Sequence, residues 1–202
     1  MLFTVKTNFL LSVIATLVFA GAALAAKYAL GLEWHSPGAV DFIPGFAAGF
    51  AAILASDIVL VLLLIVIFRN EFIKTYMQMA DYFTGQRAPE ILAGGLLAAG
   101  EEMVFRGVVL QGMVQVLGTG PASAVLVSSI LFGLFHVIAR RRLALFSMWA
   151  VWEGTVLGAV YLYTGSLLTT AAVHAAHDVF GFTVFALNRK YGFFLTGRHA
   201  QG

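Results

Sequence analysis

Apolar residues run nearly unbroken through six stretches of the chain, at about 8–26, 42–68, 91–117, 121–139, 143–163 and 166–187. Each approaches or exceeds the roughly 20 residues that a helix needs to cross a bilayer. The breaks between them hold turn residues or charge: Trp34-His35-Ser36-Pro37-Gly38, Arg69-Asn70-Glu71, Gly118-Thr119-Gly120-Pro121, Arg140-Arg141-Arg142 and Thr164-Gly165-Ser166. Pro121 suits the first turn of a helix, where its missing N–H costs nothing. Between 69 and 90 the pattern turns polar, with Phe72, Ile73, Tyr76, Met77 and Met79 interleaved with Lys74 and Gln78. That stretch reads as an interfacial amphipathic helix or as a solvated loop. The expectation is an all-α protein, a polytopic membrane bundle of about six transmembrane helices. Its parts are a two-helix membrane region over 1–90, a four-helix core over 91–187 and a tail over 188–202.

The basic residues orient this bundle. Lys6, Arg69, Lys74, Arg87, Arg140, Arg141, Arg142, Arg189, Lys190 and Arg198 all fall on one side of the six spans, and Lys27 stands on the other. By the positive-inside rule both termini face the cytoplasm. Ala23-Leu24-Ala25 resembles a signal-peptidase site. The apolar run before it exceeds the 7–15 or so residues of a signal-peptide core, so it reads as a span.

Composition sharpens the picture. Of the 202 residues 60% are hydrophobic and 11% charged, against roughly 25% charged in soluble domains. Lipid is the solvent for most of the chain. With a formal charge of +2 and no basic face there is nothing to hold nucleic acid. The lack of cysteine removes disulfides, thiolate catalysis and cysteine-ligated zinc.

Against that background Asp57, Glu101, Glu102, Arg106, His136, Glu153, His174, His177 and Asp178 lie within apolar spans. Each costs at least about 2.5–3.5 kcal/mol at the bilayer centre and needs a partner. Glu102 and Arg106 are four apart, on one helix face, and should pair. Glu101, about 100° around the helix, is left without a local counter-ion, a state that suits a general base. An isolated histidine on an apolar helix is ordinarily a satisfied core residue, and alone His136 points to no chemistry. Two imidazoles and a carboxylate within five residues, His174, His177 and Asp178, are harder to read as adhesion between helices. Glu101 and Asp178 both lie about 15 Å from the cytoplasmic ends of their helices. Asp57 reads as interhelical adhesion, and Glu153 as that or as support for a site.

A carboxylate among imidazoles can deprotonate water, and nearby donors can hold the oxyanion formed on attack at an amide. The same residue types can bind zinc, which activates the water itself. The sequence has neither a His-Glu-x-x-His helix nor a Gly-x-Ser-x-Gly elbow. Amide hydrolysis without a covalent intermediate fits best.

Glu101-Glu102-x-x-x-Arg106, Phe132-x-x-x-His136 and His174-x-x-x-Asp178 resemble, in order, the three motifs of the CPBP intramembrane endopeptidases. That family includes the type II CAAX prenyl proteases and the bacteriocin-processing or Abi proteins. Gly158 to Ser166 is similar to the family's lead-in to its last motif, and the resemblance spans about 91–187. It implies that Glu101 activates water, that His136 assists, and that His174 and Asp178 stabilise the oxyanion. Glu102 and Arg106 would shape the site; His177, three residues from His174, can border it as a supporting residue. The family has been described both as metalloproteases and as glutamate-dependent peptidases. The resemblance therefore implies either no cofactor or zinc on Glu101, His136, His174 and Asp178. Asp178 departs from the Asn typical of the prenyl proteases; an ionised Asp cannot donate to an oxyanion. It would be protonated, orient His174 or bind metal. The implied substrate is a membrane-anchored protein or peptide, and the implied location a bacterial inner membrane. Two other classes use similar residues: an inactive family scaffold regulating another membrane protein, and a small proton-coupled transporter. The absence of an inverted repeat weighs against transport.

Overall fold

The computed structural model describes residues 9–35, 39–83, 87–139 and 144–191, without the side chains of 70–83, 137–139, 144–146 and 188–191. Lys6, the Arg140–Arg142 cluster, His199 and the tail beyond 191 lie outside the described residues. Among the described residues the protein is an all-α bundle of six helical elements. They are α1 (Phe9–Leu30), α2 (Phe42–Phe83), α3 (Ala88–Glu102), α4 (Pro121–Ala139), α5 (Ala144–Thr164) and α6 (Leu167–Tyr191). Beyond Glu102, α3 continues as π-helix over Met103–Leu110 and Gly112–Val116.

The elements match the six apolar runs one for one. Three of them, Phe9–Leu30, Phe42–Arg69 and Leu167–Leu187, are long and apolar enough to cross a membrane, and Pro121–His136 is apolar but shorter. The bundle is inverted in polarity relative to a soluble protein. Leu17, Ile43, Val66 and Leu168 are among the exposed large apolar side chains, while Glu101, Glu102, Arg106, Glu153 and His174 are buried. Lipid accepts the apolar exterior, and the polar groups find partners inside.

Local chemistry sets the helix ends. Pro121 opens α4. At the start of α3 the Arg87 N–H donates to Glu90 Oε2 at 2.7 Å, and Pro89 needs no partner in the first turn. The polar stretch after 68 is helical through Phe83. Arg69, at φ 35°, ψ −107°, breaks the helix between the apolar part of α2 and this extension. A non-glycine residue in that region is strained, and the break falls where the pattern turns polar.

The connections at one end of the bundle lock together. Val40 N–H donates to Thr164 O at 2.9 Å and Leu167 N–H to Trp34 O at 3.2 Å. Trp34 Nε1–H donates to Gly107 O at 2.8 Å, and Gln115 bonds both the N–H and the C=O of Glu33. The α1–α2 link, the π-helix and the α5–α6 link therefore share one end, as alternating spans require. Helix α1 packs on α3 and the π-helix, α3 on α6, α4 on α5, and α2 on both α5 and α6. Gly95 permits the α3–α6 approach: a Cβ there would lie 2.6 Å from Val179 Cγ2 and 3.0 Å from Ala175 O.

Candidate active site

Glu101 and Glu102 end the regular α-helical part of α3, and the π-helix begins at the next residue. Such wide turns occur frequently at functional sites. Arg106 Nη1–H donates to Glu102 Oε1 at 2.7 Å, with both side chains fully buried, and Nη2–H donates to Gly154 O on α5 at 2.6 Å. The guanidinium also lies 5.1 Å from the centre of the Phe132 ring on α4, an arrangement that suits a planar cation. Arg106 thus takes the partner its spacing predicts and ties α3 to α4 and α5.

Glu102 reaches a second partner. His174 Nδ1–H donates to Glu102 Oε1 at 2.9 Å across 72 residues of sequence. The carboxylate fixes the orientation of the ring and leaves Nε2 facing the other way, toward Asp178 Oδ1 at 3.9 Å. Of the roles open to Asp178, orientation of His174 through Nδ1 is therefore taken by Glu102. Asp178 stands between two histidines, with His177 Nδ1 at 3.4 Å.

Glu101 is buried and, among the described residues, takes no hydrogen bond or ion pair. Its electrostatic neighbours are His174, Asp178, Glu102 and Arg106. His136 joins from α4: its Nδ1 lies 2.9 Å from Phe132 O, and it is within electrostatic reach of Asp178. Phe132 is the hub of this side. Its ring centre is 4.6 Å from that of His136, 5.8 Å from that of His174 and 5.1 Å from that of Phe105. The structure thus gathers Glu101, Glu102, Arg106, His136, His174 and Asp178 from α3, its π-helical continuation, α4 and α6.

His177 faces another way. Its Nε2 lies 2.6 Å from Asp57 Oδ2 on α2, and its Nδ1 3.5 Å from Glu153 Oε1 on α5. Trp149 Nε1–H donates to the same Glu153 oxygen at 3.0 Å. Asp57, read from the sequence as adhesion between helices, and Glu153, read as adhesion or support, are thus both partners of one imidazole. The one available signal was a carboxylate in an otherwise apolar run, and it names no partner on another helix. Among the described residues, Asp57, Glu153 and His177 form the group of three whose potential ligand atoms all lie within 4.8 Å of one another. The zinc-ligand set expected from the sequence, Glu101, His136, His174 and Asp178, is not such a group.

A buried carboxylate beside imidazoles is the residue set that general-base chemistry and oxyanion stabilisation use. Residues 85–180 match the family model described as Rce1-like, type II CAAX prenyl endopeptidase. No curated protein and no solved structure matches the chain. The match takes in all three motifs and every element that supplies the Glu101 cluster, and over residues 85–180 it supports membership of the CAAX protease family.

Proposed function

We propose that the protein is an intramembrane endopeptidase that hydrolyses a peptide bond of a membrane-anchored or C-terminally processed protein or peptide. The observation that carries this reading is the 2.9 Å contact between His174 and Glu102. It sets an imidazole beside Glu101, the buried carboxylate that neither Arg106 nor any other described cation holds.

In this reading Glu101 takes a proton from water, and the hydroxide attacks the scissile carbonyl carbon. His174, protonated and held by Glu102 at Nδ1, offers Nε2–H to the oxyanion. His136 assists from α4. As the tetrahedral intermediate collapses the C–N bond breaks, and the proton on Glu101 passes to the leaving amine. Arg106 holds Glu102 in place, and Asp178 limits where His174 can turn. The substrate enters from the bilayer, which fits a catalytic group buried among apolar helices. The basic residues point to cytoplasmic termini, and the family resemblance to a bacterial inner membrane.

The test is cleavage of lipid-anchored and helix-anchored peptides by the purified protein in lipid nanodiscs. Glu101→Gln and His136→Ala should each remove cleavage while helicity and monodispersity stay as in the unmodified chain. Undiminished cleavage in both variants would overturn the assignment. A scaffold would instead support its cellular phenotype with either variant in place.

A further inference from the structure

We infer that Asp57, Glu153 and His177 form a binding site for a divalent transition-metal cation, of the zinc or manganese class. The site takes no ligand from Glu101, His136 or His174, and the inference does not depend on the peptidase reading.

Three helices contribute one donor each: α2 through Asp57, α5 through Glu153 and α6 through His177. Their donor atoms lie within 4.8 Å of one another. Small side-chain rotations close such a span onto an ion with bonds of about 2.0–2.2 Å. One imidazole nitrogen with carboxylate oxygens, and no sulfur, is a donor set for zinc or manganese; calcium and magnesium favour all-oxygen cages.

Unspent bonding capacity points the same way. Asp57 Oδ1 and His177 Nδ1 are buried atoms with no hydrogen-bond partner. The carboxylates of Glu153 and Asp178 face that nitrogen at 3.5 and 3.4 Å. An ion bound within the cluster would use both of these unspent atoms and hold the carboxylates by attraction.

Charge gives the third argument. Asp57, Glu153 and Asp178 are three carboxylates around a single imidazole. Even as imidazolium, His177 balances only one of them. Arg106, the nearest buried cation on α3's continuation, is already engaged by Glu102 and the Gly154 carbonyl. His174 is shared with Asp178 at 3.9 Å, which leaves Asp57 and Glu153 to His177 in a place in the membrane where uncompensated charge is costly. A divalent ion closes the balance. Trp149 donates to Glu153 Oε1, the kind of outer hydrogen bond that orients a ligating carboxylate.

The experiment uses the full chain without a histidine tag, purified in detergent and stripped by a chelator. Co²⁺ is titrated while its visible d–d absorption is followed, and Zn²⁺ is then added as competitor. We expect saturable binding of a single Co²⁺ per chain, displaced by Zn²⁺, with a rise in melting temperature. Asp57→Asn and Glu153→Gln, both near-isosteric, should each weaken binding by about 10–100-fold or more, while Glu101→Gln and His136→Ala bind as the unmodified chain does. If one isosteric variant does not fold, the other and the unmodified chain still decide the matter. Absence of saturable binding in the unmodified protein would overturn the inference, the cluster then being an imidazolium ion-pair network. So would binding that survives both Asp57→Asn and Glu153→Gln but is lost in the Glu101 and His136 variants.

Discussion

His174 and Glu102 are joined by a 2.9 Å hydrogen bond between α6 and the end of α3, and that bond decides which face of the imidazole remains for chemistry. With Nδ1 committed, Nε2 is the free nitrogen, and it looks toward Asp178. Glu102→Gln should therefore leave helix packing largely intact yet release the ring's orientation. In the anchored-peptide assay we expect kcat to fall by about 10²–10⁴-fold with little change in KM. A KM effect alone would show that His174 contributes to binding and not to the chemical step.

The Glu102–Arg106 pair is fully buried. Removing one partner leaves an uncompensated charge, which costs about 3–5 kcal/mol. Arg106→Ala should therefore lower the unfolding midpoint in a mild-detergent thermal or SDS titration far more than substitution of exposed Arg87, whose pair with Glu90 lies at a helix end. Equal losses for the two would mean that the buried pair carries no special energetic weight.

Gly95 controls how closely α3 approaches α6, and with it the spacing between Glu101 and Asp178. An added methyl meets Val179 Cγ2 at 2.6 Å, so Gly95→Ala should destabilise by about 1–3 kcal/mol through overpacking. Val179→Ala in the same chain should restore part of both stability and cleavage. A double variant no better than Gly95→Ala would shift the blame to the Ala175 carbonyl, 3.0 Å from the same position.

The chain has no cysteine, so single cysteines report topology without background. Glu33→Cys lies at the end where the α1–α2 and α5–α6 links meet, and Arg87→Cys precedes α3 at the opposite end. In intact cells a membrane-impermeant maleimide should label Cys introduced at 33 and spare that at 87. Inverted vesicles should reverse the pattern. The opposite result would invert the orientation read from the basic residues.

The sequence by itself determined the six helices, because an apolar run of about 20 residues has few alternatives in lipid. It also determined the Glu102–Arg106 pair, since residues four apart on one helix must meet, and it left Glu101 without a local cation. The three motifs in order were legible too, and they led to the family. Tertiary structure alone decided which helix faces meet. Periodicity says nothing about rotation when a helix is apolar all round, so neither the orientation of His174 by Glu102 nor the gathering of Asp57, Glu153 and His177 was visible. The π-helical turn after Glu102 was equally hidden; its Phe105 and Gly107 carbonyls accept from Ser128 and Trp34 on other segments, partners that spacing does not reveal. Local contacts follow from spacing along one helix, whereas contacts between helices depend on the fit of whole surfaces.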